Sequence, residues 1–253
     1  MSTSAYAIRR IANEVAQQKF WLSVIVLKRV LDFRTPFDFC KAAKSGSTLL
    51  VGEGNFSFSV ALSDLLGNAT SNLTTTTFQT VDEYSDITKQ NAKTLRRRGA
   101  KTIAGVDATN LSQWFSQRQF DLIVFQFPNV GSREPRYGRN PNHILVRRFL
   151  KSAADHLSDF GKVAITVVNS PHYDGAFDMD GVAERNNFAI PVAHPFRFSD
   201  FPGYSHVKTK DDGICALDEN DEFVTYVFNL KREQSANGSC CKSIFSTPRH
   251  CLF

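Results

Sequence analysis

The sequence is poor in the residues that staple, link or anchor a chain. Its five cysteines, Cys40, Cys215, Cys240, Cys241 and Cys251, are odd in number and form no Cys-x-x-Cys pair. Neither a disulfide framework nor a zinc site is therefore expected, and reduced thiols and no metal are predicted. Long apolar runs are missing too. Residues 20–27 are apolar but too few to span a bilayer, and Lys28 and Arg29 follow them without a small-residue cleavage site. That stretch reads as a packed helix, and neither a membrane partner nor a secretory signal is expected. The Asn-x-Ser/Thr triplets at Asn68, Asn72, Asn110 and Asn237 are discounted on the same ground. No internal repeat and no linker rich in Pro, Gly and Ser interrupts the chain. The charge excess is small, 30 basic against 25 acidic side chains for +5, which suits a polyanionic partner without the density of a protein that coats DNA. The first thirteen residues carry Arg9, Arg10 and no acid, which leaves an organelle transit segment open for a eukaryotic source.

What is present is enough for one substantial core: 253 residues, 42% of them hydrophobic, with 22 phenylalanines. Residues 5–33 read as one or two amphipathic helices, with Ile8, Ile11, Ala12, Val15 and Ala16 on one face. From residue 48 onward, short apolar runs alternate with helical patterns. Strands are expected over 48–52, 75–81, 102–106, 120–127 and 162–168, and helices over 57–66, 85–98, 142–157 and 175–187. This alternation predicts an α/β fold with a mostly parallel sheet covered by helices on both faces. Two further strands, 190–198 and 222–230, have no convincing helix between them, so the sheet should close with an antiparallel hairpin. The expected division is an N-terminal helical extension over 1–46, an α/β domain over 47–232 and a polar tail over 233–253.

The chemistry is concentrated at strand ends. "LLVGEGNFSFSVAL" places Gly52 and Gly54 where the first strand turns into its helix. Glycines there permit a tight turn and close approach of backbone N–H groups to a ligand, and the helix N-terminus favours a carboxylate or phosphate. The loop reads Gly-x-Gly-x-x-Ser, with Ser57 where a dinucleotide fingerprint wants Gly or Ala. Asp82 comes later than the roughly 20 residues at which such a fingerprint places its acid, so NAD is disfavoured. Asp82 with Glu83 and, one strand further, Asp107 with Ala108 are expected at neighbouring strand ends. Carboxylates so placed can accept ribose hydroxyls and an adenine amino group, although Asp107 can equally cap the helix that follows. The fourth strand exits through Gln126, Phe127, Pro128 and Asn129. Its amides can grip a planar acceptor by donor and acceptor together.

Taken in order, "LLVGEGNFSFSVAL", "VDEYSD", "GVDATNL", "FDLIVFQFPNVG" and "FPGYSHVKT" with "TYVF" resemble the Rossmann-like domain of the large-subunit rRNA uridine N(3)-methyltransferases. The likeness covers roughly residues 47–230. It implies a seven-stranded class I methyltransferase sheet that uses S-adenosylmethionine and acts on RNA. By the same likeness, Gly52, Glu53, Gly54, Asn55, Phe56 and Ser57 surround the methionine end of the cofactor, Asp82 meets the ribose, and Asp107 with Ala108 the adenine. Gln126, Pro128 and Asn129 face the acceptor. A cytoplasmic protein is implied, nucleolar in a eukaryote. One departure is plain: those enzymes typically carry Asn-Phe-Pro-His after strand four, and this chain has Gln126-Phe127-Pro128-Asn129. The imidazole expected beside the base is missing, and Asn129 cannot remove a proton. His143, His172 and Asp174 are the candidate bases, and Arg133, Arg136, Arg139, Arg147 and Arg148 the candidate phosphate contacts. A methyltransferase for a small molecule or protein, and a module that binds cofactor or RNA without turnover, remain alternative readings.

Overall fold

The computed structural model describes residues 35–132, 134–135, 138–169, 177–206 and 222–231. The helices expected over 5–33, the tail over 233–253 and all cysteines except Cys40 lie outside them. In chain order the elements are α1 (Phe39–Lys44), β1 (Thr48–Val51), α2 (Ser57–Leu66), β2 (Leu73–Thr76), α3 (Asp86–Arg97), β3 (Lys101–Ile103), α4 (Ser112–Phe115), β4 (Phe120–Gln126), α5 (Pro141–Ala154), β5 (Leu157–Asn169), α6 (Met179–Arg185), β6 (Val192–Phe196) and β7 (Glu222–Asn229).

Seven strands form one sheet in the order β3-β2-β1-β4-β5-β7-β6. β1 to β5 are mutually parallel, and β7 runs antiparallel to both β5 and β6. The expected α/β sheet with a closing hairpin is thus present. β7 inserts between β5 and β6, so the hairpin sits at the sheet's edge with its last strand inward.

Strand side chains alternate between two cores, as a period of two requires. Leu49, Val51, Ile123, Phe125, Val163 and Ile165 point to one face and are covered by Val146, Phe149 and Leu150 of α5 and Val182 and Ala183 of α6. Leu50, Leu122, Val124 and Ala164 point to the other, where α1 and α2 pack. That second core is aromatic: Phe39 of α1 meets Phe58, Phe196 and Phe201 edge-on at 5.5, 6.2 and 5.7 Å. Truncating such a ring costs about 3–5 kcal/mol, so α1 is a structural part of the sheet's cover.

Helix starts follow local chemistry. Asp38 accepts from Lys41 N at 2.8 Å to cap α1, Ser85 caps α3, and Asn140 caps α5 with Pro141 at the first helical position. At the amino ends of the strands, Asp121 accepts from the backbone N–H and hydroxyl of Ser47 at 2.8 and 3.1 Å and from the Ser158 hydroxyl at 2.7 Å. These bonds tie the starts of β1, β4 and β5 together. The Ser158 bond is the main cause of a carboxyl held below its ordinary range.

β2 departs from expectation. It spans Leu73–Thr76 instead of 75–81, because Thr80-x-x-Glu83 forms a capping box that starts the short 3-10 turn Val81–Glu83. Thr80 N donates to Glu83 Oε2 at 2.7 Å. The chain has therefore left the sheet before it reaches Asp82.

Candidate functional site

A cavity of about 490 Å³ opens beyond the carboxyl ends of β1 to β4, lined among others by Gly52, Glu53, Asp107, Gln126, Tyr204 and His206. This is where an open α/β sheet places its ligand, because β1 and β4 are neighbours whose connections leave in opposite directions. The volume falls in the usual range of small-molecule sites, about 300–1,000 Å³.

One wall is the loop between β1 and α2. Gly52 has φ +64°, and a Cβ there would overlap the Phe125 ring. Only glycine keeps this turn without strain. Glu53 N donates to Thr76 O at 2.9 Å, which hangs the loop on the end of β2. Asn55 is held by Asn91, whose Nδ2 donates to its carbonyl at 2.8 Å. Phe56 takes the left-handed conformation, φ 63°, and has no capping side chain. The helix donors are served by the loop: Asn55 Oδ1 accepts from Ser57 N at 3.0 Å, and Glu53 Oε2 from Ser59 N at 3.2 Å. Glu53 is buried, and burial pushes its carboxyl up to about 7 against the opposing effect of that bond. Tyr204 lies near enough that burial and the Glu53 charge both raise its phenol above the ordinary value.

Gly52, Glu53, Gly54, Asn55, Ser57, Asp107, Ala108, Gln126 and Asn129 all line the cavity. Asp107 Oδ1 accepts from Thr109 N and Oγ1, both at 2.8 Å. Phe56 stands behind the loop, fully buried with its ring against Tyr84 at 5.9 Å. Pro128 is buried behind the strand exit. Asp82 is exposed and does not line the cavity. The early end of β2 leaves Phe78 and Gln79, in place of Asp82, among the residues that line the cavity. Gly105 N bonds to the Gln79 carbonyl at 2.9 Å and fixes this turn beside β3.

The opposite wall is the exit of β4. Gln126 is 9% exposed, and neither Nε2 nor Oε1 has a hydrogen-bond partner among the described residues. Leaving a buried amide unpaired costs about 1–3 kcal/mol, an expense expected where a ligand completes the bonds. Phe127 has φ 50°, a strained conformation for a bulky residue. Asn129 is exposed; its Oδ1 accepts from Gly131 N at 2.9 Å.

Two residues of this wall come from the distant segment before β7. Tyr204 and His206 face the cavity beside Phe127, with the His206 ring edge-on to Phe127 at 4.8 Å. His206 was not foreseen, although it lies in the quoted "FPGYSH" stretch. His143, a candidate base, is buried in α5 with Nδ1 on the Phe177 carbonyl at 3.1 Å and does not line the cavity. His172, Asp174, Arg133 and Arg136 lie outside the described residues. Arg139, Arg147 and Arg148 are exposed. Among the described residues, no group of three or more His, Cys, Asp or Glu is placed to hold a metal, and no helix is long and apolar enough to cross a membrane.

Comparisons with known proteins add to this geometry. A human protein named ferredoxin-fold anticodon-binding domain-containing protein 1 is 40% identical over 170 residues, 62% of this chain and 27% of that protein. An Arabidopsis thaliana protein named heavy metal-associated isoprenylated plant protein 41 is 32% identical over 180 residues, 66% of this chain and 33% of its own length. The chain thus spans about a quarter to a third of these relatives. Among solved structures, a TehB-like SAM-dependent methyltransferase from Corynebacterium glutamicum superposes with a TM-score of 0.44 at 18% identity, over 87% of this chain and 99% of that one. A family model described as rRNA (uridine-N3-)-methyltransferase matches residues 49–208. Because that match begins in β1 and ends just past His206, it takes in both walls of the cavity, and the chain belongs to the BMT5-like family.

Proposed function

We propose that the protein transfers a methyl group from S-adenosylmethionine to N(3) of a uridine in RNA, with ribosomal RNA as the substrate that its family description names. The observation that carries the acceptor half is Gln126, whose buried amide offers an unused donor and acceptor to the cavity. The donor half rests on the loop at Gly52, whose left-handed turn brings its backbone to the cavity beside the buried Glu53 carboxyl, a setting suited to a compact, positively charged ligand.

When bound, S-adenosylmethionine supplies an electrophilic methyl group on a sulfonium. Glu53 and the backbone of Gly52 to Asn55 would hold the amino-acid end, and Gln79, Asp107 and Ala108 would meet the nucleoside; all of them line the cavity. The target base enters against Gln126, Phe127 and Asn129. Uracil must lose its N(3) proton before that nitrogen can attack, and the charge then spreads over the two flanking oxygens. Gln126 Nε2 and Asn129 Nδ2 are donors suited to those oxygens. They bind the anion more tightly than the neutral base, and such differential binding lowers the barrier. The edge of uracil used here is hidden in a duplex, so the target is unpaired or flipped out. A substrate of this kind places the work in the nucleolus of a eukaryotic cell, or otherwise in the cytoplasm.

Calorimetry tests the donor half. S-adenosylmethionine and S-adenosylhomocysteine should bind in the micromolar range, about −8 kcal/mol, and NAD should give no heat. Binding of NAD with no response to either methyl-series compound would overturn the reading.

A further inference from the structure

The family's usual imidazole after strand four is absent here, yet the cavity holds one. Four histidines are described, and three are committed elsewhere. His143 sits in the core on the Phe177 carbonyl, His156 bonds Ser112 Oγ and the Arg118 carbonyl, and His194 bonds the Thr35 carbonyl at 3.0 Å. His206 lines the cavity and rests edge-on against Phe127 at 4.8 Å. Its position is fixed from the opposite wall. Ser57 Oγ donates to the Ser205 carbonyl at 2.8 Å, and Ser205 N donates back to Ser57 Oγ at 3.1 Å, across 148 residues of sequence. Ser57, the first residue of α2, thus acts as a clasp between the glycine loop and the segment that carries the imidazole.

We infer that His206 is the general base that takes the N(3) proton of the target uracil, with the Ser57–Ser205 clasp holding its ring over the acceptor wall. The inference rests on the proposed N(3) methylation. The step balances. A neutral ring nitrogen of His206 removes the N(3) proton, and the N(3) lone pair forms the new N–CH3 bond as the sulfonium–methyl bond breaks. The positive charge lost at sulfur reappears on the imidazolium, which then releases its proton to water. Burial lowers the pKa of His206 from its ordinary value, so the ring is neutral, and ready to accept, at pH 7. The titratable groups that share its cavity are Glu53 and Asp107 on the donor side and Tyr204 beside it. Phe127, itself backed by Phe223 of β7, gives the ring an aromatic support without charge. The nearest carboxylate on β7, Glu222, is engaged by Asn169 Nδ2 at 3.2 Å.

The test is single-turnover methylation of an unpaired uridine in RNA by the full chain and by His206→Gln, followed from pH 5 to 9 with 3-methyluridine identified by mass spectrometry. Binding of S-adenosylhomocysteine and thermal unfolding are measured in parallel. Wild type should rise through an acid limb and then level off, and the limb's midpoint should match the His206 ring titration seen by NMR in the protein without ligands, below the ordinary histidine value. His206→Gln should keep its fold and cofactor affinity and lose roughly 10²- to 10⁴-fold in rate at pH 7. Its rate should climb about tenfold per pH unit toward wild type, because hydroxide must then do the work, and imidazole added to His206→Ala should restore rate. A His206→Gln profile parallel to wild type, with 3-methyluridine still formed, overturns the assignment alone and leaves Glu53 and Asp107 as the cavity's remaining bases. Absence of 3-methyluridine from the wild-type reaction overturns the proposed function and this inference with it.

Discussion

Asp121 at the amino ends of the parallel strands and Glu53 at their carboxyl ends are carboxylates treated in opposite ways. At the amino ends, Asp121 accepts three hydrogen bonds from Ser47 and Ser158, and its charged form is favoured. At the carboxyl ends, Glu53 is buried with a single N–H, that of Ser59, and its neutral form is favoured up to about pH 7. The neighbours differ too, although Thr48 Oγ1 at the amino end is buried without a partner among the described residues. The carboxyl end leaves both amide atoms of Gln126 without one, holds Phe127 at φ 50° and puts Gly52 at φ +64°. One end of the sheet is built to be stable. The other carries the strained backbone and the unpaired buried amide that mark a candidate site.

Substitutions can break that contrast. Gly52→Ala should have the largest effect, because the new methyl group meets the Phe125 ring and a left-handed alanine is strained by about 1–2 kcal/mol. Calorimetry should show cofactor affinity reduced by about a hundredfold or more in a protein that still unfolds cooperatively. Gln126→Leu comes next. Losing one oriented donor should slow single-turnover methylation by roughly ten- to a thousandfold, while thermal unfolding shows a gain of about 1–2 kcal/mol from removing an unpaired amide. A variant that loses rate as it gains stability would sharpen the account. Asn129→Ala, at an exposed residue whose Oδ1 is already engaged, should cost less rate.

The two carboxylates give the smaller, pH-resolved effects. For Glu53 the folded pKa is raised from 4.5 to about 7, so wild-type stability is fully present below pH 4.5 and declines as pH rises toward 7. Glu53→Gln keeps an acceptor for Ser59 N and has no charge to bury. It should be more stable than wild type at pH 8, by up to about 3 kcal/mol, and the gain should fade below pH 5 in denaturant titrations. Asp121 has the opposite sign. Its folded pKa lies below 3.8, so its contribution is present above 3.8 and is lost as pH falls through the folded value. Asp121→Asn should cost about 1–2 kcal/mol at neutral pH, reduced by partial exposure, and leave cofactor affinity unchanged.

At the carboxyl end of the sheet, part of the site is legible in the sequence. α2 falls on Ser57–Leu66 as its periodicity predicts, β4 ends one residue short of expectation at Gln126, and the glycine loop is visible because glycine is required by the backbone itself. β2 was misplaced because apolar and β-branched residues continue through Val81, while the Thr80-x-x-Glu83 box, a local signal that was available, ends the strand. That misplacement brought Asp82 to the strand end, where the structure has Phe78 and Gln79 lining the cavity. β5 begins at Leu157, five residues before the expected 162, after a register shift against β4 between Phe120 and Leu122. His206 shows a different limit. Nothing local marks it, because its position depends on a hydrogen-bonded clasp to a residue 148 positions away. A long-range contact of that kind has no period and no motif.

The central claim is that the carboxyl end of the sheet methylates a uridine of ribosomal RNA. It is tested most directly by nucleoside mass spectrometry of ribosomal RNA from cells deleted for this protein, each complemented with wild type or Gln126→Leu. The account predicts that 3-methyluridine disappears from the large-subunit RNA on deletion, returns with wild type, and does not return to its full level with Gln126→Leu. Unchanged 3-methyluridine in the deletion strain, with a different methylated nucleoside lost or none, would contradict it.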